Sequence, residues 1–198
     1  MTEKKSWGDF YAESGGVDYL LDHLTIHKDF IKEILERKPR TALEAGCGSA
    51  VMSIFLAMTG IQVTACDRDE AVLDHAGKTA DRWKARLVFS KQDLMKLDFP
   101  PNAFDVSFSQ GVLEHMSDEE MRQACKEMLR VSKIFIFSVP CHFYRHKDYG
   151  NERLMPIEKW SRILQGIGQS KFKYYYYART KRNLLIKRPL MLMGMLTK

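Results

Sequence analysis

Two hydrophobic periodicities alternate through the middle of this chain. Residues 41–45 (TALEA) form a short apolar run that predicts a strand, Gly46-Cys47-Gly48 breaks it, and residues 50–58 continue as an apolar helix before Gly60. Residues 61–66 (IQVTAC) alternate, are rich in β-branched side chains and end at Asp67, which predicts a second strand. Residues 69–79 follow with helical spacing and an acidic first turn. Further strands are predicted at 86–90 (RLVFS), 105–109 (DVSFS) and 133–139 (KIFIFSV). Between the last two, residues 117–131 read as a helix, with Ser117 as its cap and Glu120 at the capping-box position. Strands separated by helices predict a parallel sheet with helices on both faces, an α/β fold.

The flanks differ in character. Residues 27–37 place Phe30, Ile31, Ile34 and Leu35 on one helical face, and Pro39 ends that lead-in helix. Pro156 opens a helix through Leu164, in keeping with proline's tolerance in a first turn. Residues 171–177 (KFKYYYY) and 190–196 (LMLMGML) predict two strands joined by a polar stretch with Arg179, Lys181, Arg182 and Asn183. No repeat or linker marks a second unit, and 198 residues suit one core. The expected organisation is one domain over 1–198, with N-terminal lead-in helices (1–39), a core (40–140), and a loop, helix and β-hairpin (141–198).

Composition adds limits. Hydrophobic residues are 45% and charged residues 28% of the chain, a balance that argues for a folded globular protein. The N-terminus mixes acidic, basic and aromatic residues and does not resemble a secretion signal. The longest apolar stretches fall well short of the roughly 18 residues a spanning helix needs. Cys47, Cys66, Cys125 and Cys141 have neither metal-knuckle nor disulfide-framework spacing, so reduced thiols, a cytoplasmic location and no metal are expected. Net charge is +6, yet ten basic and no acidic side chains follow Glu158, which leaves the first 158 residues at −4. That basic end suits either an anionic partner, such as nucleic acid or a membrane surface, or a solvated face.

The chemistry concentrates in Leu43-Glu44-Ala45-Gly46-Cys47-Gly48-Ser49-Ala50, between a predicted strand and a predicted helix. Glycines there let bare backbone turn tightly against a ligand. Asp67 ends the next strand, 21 residues after Gly46, where a carboxylate can accept both hydroxyls of a ribose. A dinucleotide fingerprint needs glycine where Val51 stands, so NAD is disfavoured. Glu44 would repel a pyrophosphate and attract an ammonium or sulfonium.

In this arrangement the segment resembles motif I of the class I S-adenosylmethionine-dependent methyltransferases, in the subgroup of small general-purpose methyltransferase domains. The resemblance continues in order through Asp67-Arg68, Gln92-Asp93-Leu94 and the stretch Phe104-Asp105-Val106-Ser107-Phe108-Ser109-Gln110-Gly111-Val112-Leu113-Glu114-His115. It covers residues 40–165 well. It implies a Rossmann-like, seven-stranded, mostly parallel sheet with an antiparallel last strand, and S-adenosyl-L-methionine as cofactor. Glu44, Gly46, Cys47 and Gly48 would contact that cofactor. Asp67 would hold its ribose with Arg68 beside the adenine, Asp93 and Leu94 would meet the adenine, and Gln110 would line the methionine end. Ala50 departs from the third glycine of the motif.

The expected reaction is methyl transfer by in-line displacement. His115 is the candidate base, because it follows the fourth strand and an imidazole titrates near neutrality; its alternative role is to support the helix from Ser117. His142, Tyr144 and His146 are candidate substrate residues in the loop after the fifth strand, where parallel sheets build their sites, or else a polar surface loop. Tyr174 to Tyr177 among Lys171, Lys173 and Arg179 suit base stacking less well than packing at a sheet edge, since at most two share a face. A small-molecule acceptor is expected first. An RNA or protein acceptor guided by the basic end, and a non-catalytic binding protein, are the alternatives.

Overall fold

The computed structural model describes residues 6–11, 14–145, 147–176 and 189–198. Seven strands, β1 (Thr41–Ala45), β2 (Gln62–Asp67), β3 (Val88–Lys91), β4 (Val106–Gln110), β5 (Ile134–Pro140), β6 (Gln169–Tyr175) and β7 (Met191–Thr197), form one sheet in the order β3-β2-β1-β4-β5-β7-β6. The first five are parallel, and β7 runs antiparallel between β5 and β6. Strand order reverses at β1, which pairs with β2 on one side and β4 on the other. A crevice outside the carboxyl end of such a strand is where open α/β sheets receive ligands.

Helices α1 (Trp7–Tyr11), α2 (Val17–Ile26), α3 (Lys28–Glu36), α4 (Val51–Met58), α5 (Glu70–Arg82), α6 (Asp118–Val131) and α7 (Ile157–Ile163) accompany the sheet, with a 3₁₀ turn at Leu113–His115. Strand side chains alternate between faces, so one apolar surface splits into two cores. Phe135, Phe137, Leu192 and Leu196 meet Met121, Met128 and Trp160 of α6 and α7. Ile134, Ile136, Met191 and Met193 meet Phe30, Ile34, Met52 and Leu56 of α3 and α4. Ser117 caps α6 and closes the capping box with Glu120. All four cysteines are free and buried. No helix among the described residues is long and apolar enough to cross a membrane.

Two details differ from the pattern in the sequence. β3 begins at Val88, because it is an edge strand whose ladder with β2 starts at Thr64↔Val88 and leaves Arg86 and Leu87 outside. Two helices, α1 and α2, precede the one that the apolar stripe marks. The hairpin strands β6 and β7 are present, whereas the polar stretch joining them lies outside the described residues, as does Tyr177. Within β6, Tyr175 is buried and Tyr174 accepts the amide hydrogen of Ile157 at 3.0 Å, while Tyr176, just past the strand, is 58% exposed.

Candidate functional site

β1 ends on Glu44 and Ala45, and the chain then reverses through Gly46, Cys47 and Gly48 into α4. Gly46, Gly48 and Ala50 have φ of +69°, +51° and +54°, the left-handed region that glycine enters without a steric penalty. Space matters as much as conformation. A Cβ on Gly46 would stand 2.6 Å from a Val112 methyl carbon, and one on Gly48 2.5 Å from the Tyr11 ring. The amides of Gly46 and Cys47 donate to the Cys66 carbonyl at 2.9 and 3.0 Å, which ties the turn to the end of β2. Asp67 therefore stands beside the turn. Its carboxylate accepts the amides of Gly48 (3.5 Å) and Asp69 (3.1 Å), yet burial still raises its pKa.

Two cavities open on this turn. One, of about 350 Å³, is lined by Gly46, Gly48, Asp67, Arg68, Asp93, Leu94 and Val112 among others. The other, of about 360 Å³, lies over Glu44, Gly46, Cys47, Gln110 and Glu114, under α1 and α2. They share Trp7, Tyr11, Gly46, Gly111 and His115. Each falls within the roughly 300–1,000 Å³ typical of small-molecule sites.

Electrostatics distinguish the second cavity. Glu44 accepts the amide (3.2 Å) and hydroxyl (2.5 Å) of Ser53, but burial pushes its carboxyl up to about 8. Glu114, on the 3₁₀ turn, is also fully buried and raised to about 8 by desolvation, and its Oε2 has no hydrogen-bond partner. Burial lowers His23 to about 4 and His27 well below its ordinary value, so both imidazoles are neutral near pH 7. His27 Nδ1 lies 2.9 Å from the Tyr175 hydroxyl, itself 2.5 Å from Ser138 Oγ. Among the described residues, no lysine or arginine lines this cavity.

Every residue that the resemblance ties to the cofactor lines one cavity or the other. Asp93 is engaged locally, its Oδ1 accepting the Met95 amide at 2.9 Å, and Leu94 is buried. His115 borders both cavities, with Nδ1 2.5 Å from Asn151 Oδ1 and its ring edge-on to Trp7. Tyr144 lines the second cavity and donates to Asp148 at 3.0 Å. His142 packs against Phe143 and Tyr174 and lines neither cavity. His146 lies outside the described residues. Sequence reasoning missed Trp7, Phe10, Tyr11, Tyr19, His23, Glu114 and Tyr149 as lining residues. The i, i+3, i+4 spacing of Trp7, Phe10 and Tyr11, and the i, i+4 spacing of Tyr19 and His23, were the available signals.

The residues fit a cationic adenosyl group. Gly46 and Gly48 leave a cradle that a Cβ would fill, Asp67 stands at its rim, and the second cavity offers buried carboxyl groups and, among the described residues, no lysine or arginine. A pyrophosphate would meet repulsion from Glu44.

Residues 42–134 match the family model described as "Methyltransferase domain". The ubiquinone biosynthesis O-methyltransferase of Coxiella burnetii (strain Dugway 5J108-111) is 27% identical over 110 residues, covering 55% of this chain and 47% of that protein. Ajmaline N-methyltransferase of Rauvolfia serpentina is 28% identical over 145 residues, covering 68% of this chain and 46% of that protein. The chain thus spans about half the length of the relatives it matches. Among solved structures, magnesium protoporphyrin IX methyltransferase from Synechocystis PCC 6803 with bound SAM superimposes with a TM-score of 0.68 at 18% identity, covering 97% of this chain and 89% of that one.

Proposed function

We propose that this chain, whose residues 42–134 match a methyltransferase domain, is a class I methyltransferase that binds S-adenosylmethionine across the Gly46–Gly48 turn and methylates a small-molecule acceptor held beneath α1 and α2. The carrying observation is that two cavities of ligand size meet at Gly46 and Gly111. The cofactor, when bound, supplies a methyl group on a cationic sulfur that leaves as a neutral thioether.

The residues take distinct parts. Asp67 accepts the ribose hydroxyls, with Arg68 and Leu94 flanking the adenine and Asp93 receiving its amino group. Glu44 and Gln110 face the amino-acid end, where an ammonium neighbour favours the ionised form of the Glu44 carboxyl. Trp7 and Tyr11 of α1 cover the junction of the cavities and exclude water. Holding both reactants in line contributes roughly 7–11 kcal/mol to such a transfer. Where the acceptor must lose a proton, His115 is one group at the junction able to take it, its ring oriented by Asn151.

A small molecule is favoured over an RNA acceptor by the absence of lysine and arginine from the described lining of the acceptor cavity. Lysine and arginine are foremost among the groups that hold nucleic-acid phosphates. Calorimetry with S-adenosylmethionine and S-adenosylhomocysteine tests the cofactor assignment directly. Incubation of labelled S-adenosylmethionine with fractionated cell extract tests the rest: label is expected in small molecules, and label confined to RNA or protein would reject the acceptor assignment.

A further inference from the structure

The chain as a whole is basic, yet its second cavity is acidic. Asp22, Glu44, Glu114, Asp148 and Glu152 line it, with no lysine or arginine among the described residues. Glu44 is satisfied by Ser53 and Asp148 by Tyr144, and Glu152 accepts the amides of Tyr149 (2.6 Å) and Gly150 (2.9 Å). Glu114 is different. It is 2% exposed, and Oε2 has no partner. A buried carboxyl left in that state costs free energy, because it has given up water without replacing it. Its Oε1 would stand 3.7 Å from a Cβ placed on Gly111, the residue shared by both cavities. Glu114 therefore sits where acceptor and methyl group would meet.

Resting on the reading of these cavities as donor and acceptor sites, we propose that the acceptor is a small amine on an apolar or aromatic body, entering as its ammonium form, and that Glu114 binds it and removes its proton. An ammonium both satisfies the orphan oxygen and meets the carboxyl groups of Asp22, Asp148 and Glu152 in the lining. A hydroxyl would do only the first, and a carboxylate or phosphate would be repelled. Trp7, stacked on Tyr149, and Tyr11 line the same junction. Phe10, Tyr19, Ile26 and Met52 supply an apolar wall for the body of the molecule.

The step balances. The ammonium gives one proton to the Glu114 carboxylate, which frees the nitrogen lone pair. That pair forms the new N–C bond to the methyl carbon as the C–S bond breaks, and the bonding electrons stay on sulfur. The product leaves as a methylated ammonium, and Glu114 returns its proton to water. The groups facing Glu114 are Tyr11 from α1 and Glu152 from the segment before α7, with His115 next to it in the chain and Glu44 lining the same cavity. Glu152 reinforces the effect of burial in raising the Glu114 carboxyl to about 8, a range in which it exchanges a proton near neutrality.

The test pairs phenethylamine and tryptamine with 2-phenylethanol and tryptophol, measured on the wild-type chain in the presence of S-adenosylhomocysteine. Each amine is expected to bind at least about tenfold more tightly than its alcohol, a gap of about 1.4 kcal/mol. If neither amine binds more tightly than its alcohol partner, the proposal is overturned. Glu114→Gln is expected to lower kcat/KM for amine methylation about 100-fold, mostly in kcat, and to remove the acidic limb of its pH profile, with Glu114→Asp restoring part of both. Full activity with an unchanged profile in Glu114→Gln would also overturn it. Loss of S-adenosylhomocysteine binding by the wild type would instead reject the methyltransferase reading, which separates the two failures.

Discussion

The indole of Trp7 lies flat on the ring of Tyr149, with centroids 3.8 Å apart and planes 8° from parallel. This contact joins α1 to the segment that follows β5, and the two together roof the cavities. Stacked aromatic pairs contribute about 0.5–1.5 kcal/mol beyond the area they bury. Trp7→Ala should therefore weaken S-adenosylmethionine binding by roughly 3- to 10-fold, read by calorimetry, while leaving the sheet folded by circular dichroism. An unchanged dissociation constant would mean that α1 plays no part in covering the site.

Asp67 is placed to lose more than one interaction when truncated. Hydrogen bonds to a charged group contribute about 1.5–3 kcal/mol each. Asp67→Ala should cut cofactor affinity roughly 100-fold, and the cofactor's elevation of the melting temperature should largely vanish.

Stability of the ligand-free protein should peak near pH 5–6. Glu44 and Glu114 titrate at about 8 when folded against an ordinary 4.5, so the folded state holds protons that the unfolded chain releases, and stability falls as pH rises from 4.5 through 8. His23 and His27 are depressed by burial, so the unfolded chain takes up protons that the folded state refuses, and stability falls as pH drops below 6.5. The two trends oppose each other between 4.5 and 6.5. Above 6.5 the carboxyl groups act alone. Scanning calorimetry should show the midpoint falling from pH 6.5 to 8, with Glu114→Gln flattening that fall; a rising midpoint would contradict the burial assigned to these groups.

Ala50 occupies a left-handed position at the start of α4. A non-glycine residue there costs roughly 1–2 kcal/mol, offset in part by the extra freedom glycine gives the unfolded chain. Ala50→Gly should stabilise the protein by about 0.5–1 kcal/mol in urea titration. Gly48→Ala should do the reverse by a larger margin, since its Cβ meets Tyr11.

The Tyr175 hydroxyl bridges His27 and Ser138 in the buried region behind the acceptor cavity. Tyr175→Phe leaves each with one partner fewer, at a cost of about 1–3 kcal/mol. A shift in the urea midpoint should report that loss, and an unchanged midpoint would show the bridge to be energetically neutral.

The sequence by itself determined those features whose causes are local. The Gly46–Gly48 turn, the acidic end of β2 at Asp67 and the capping box of Ser117 and Glu120 each depend on neighbours a few residues away, and each is where the pattern places it. The continuous apolar runs at 133–139 and 190–196 likewise mark strands buried on both faces. Tertiary structure decided the rest. Trp7 and Tyr11 become walls of the site only because α1 folds across the turn; their spacing marks an aromatic helix face but not what that face covers. Glu114 stands in sequence inside the fourth-strand motif without a role of its own, and the packing of the 3₁₀ turn against Gly111 and the residues around Glu152 removes it from water. Burial of a charge is a property of what surrounds it, so the environment of Glu114 could not be read from the order of residues.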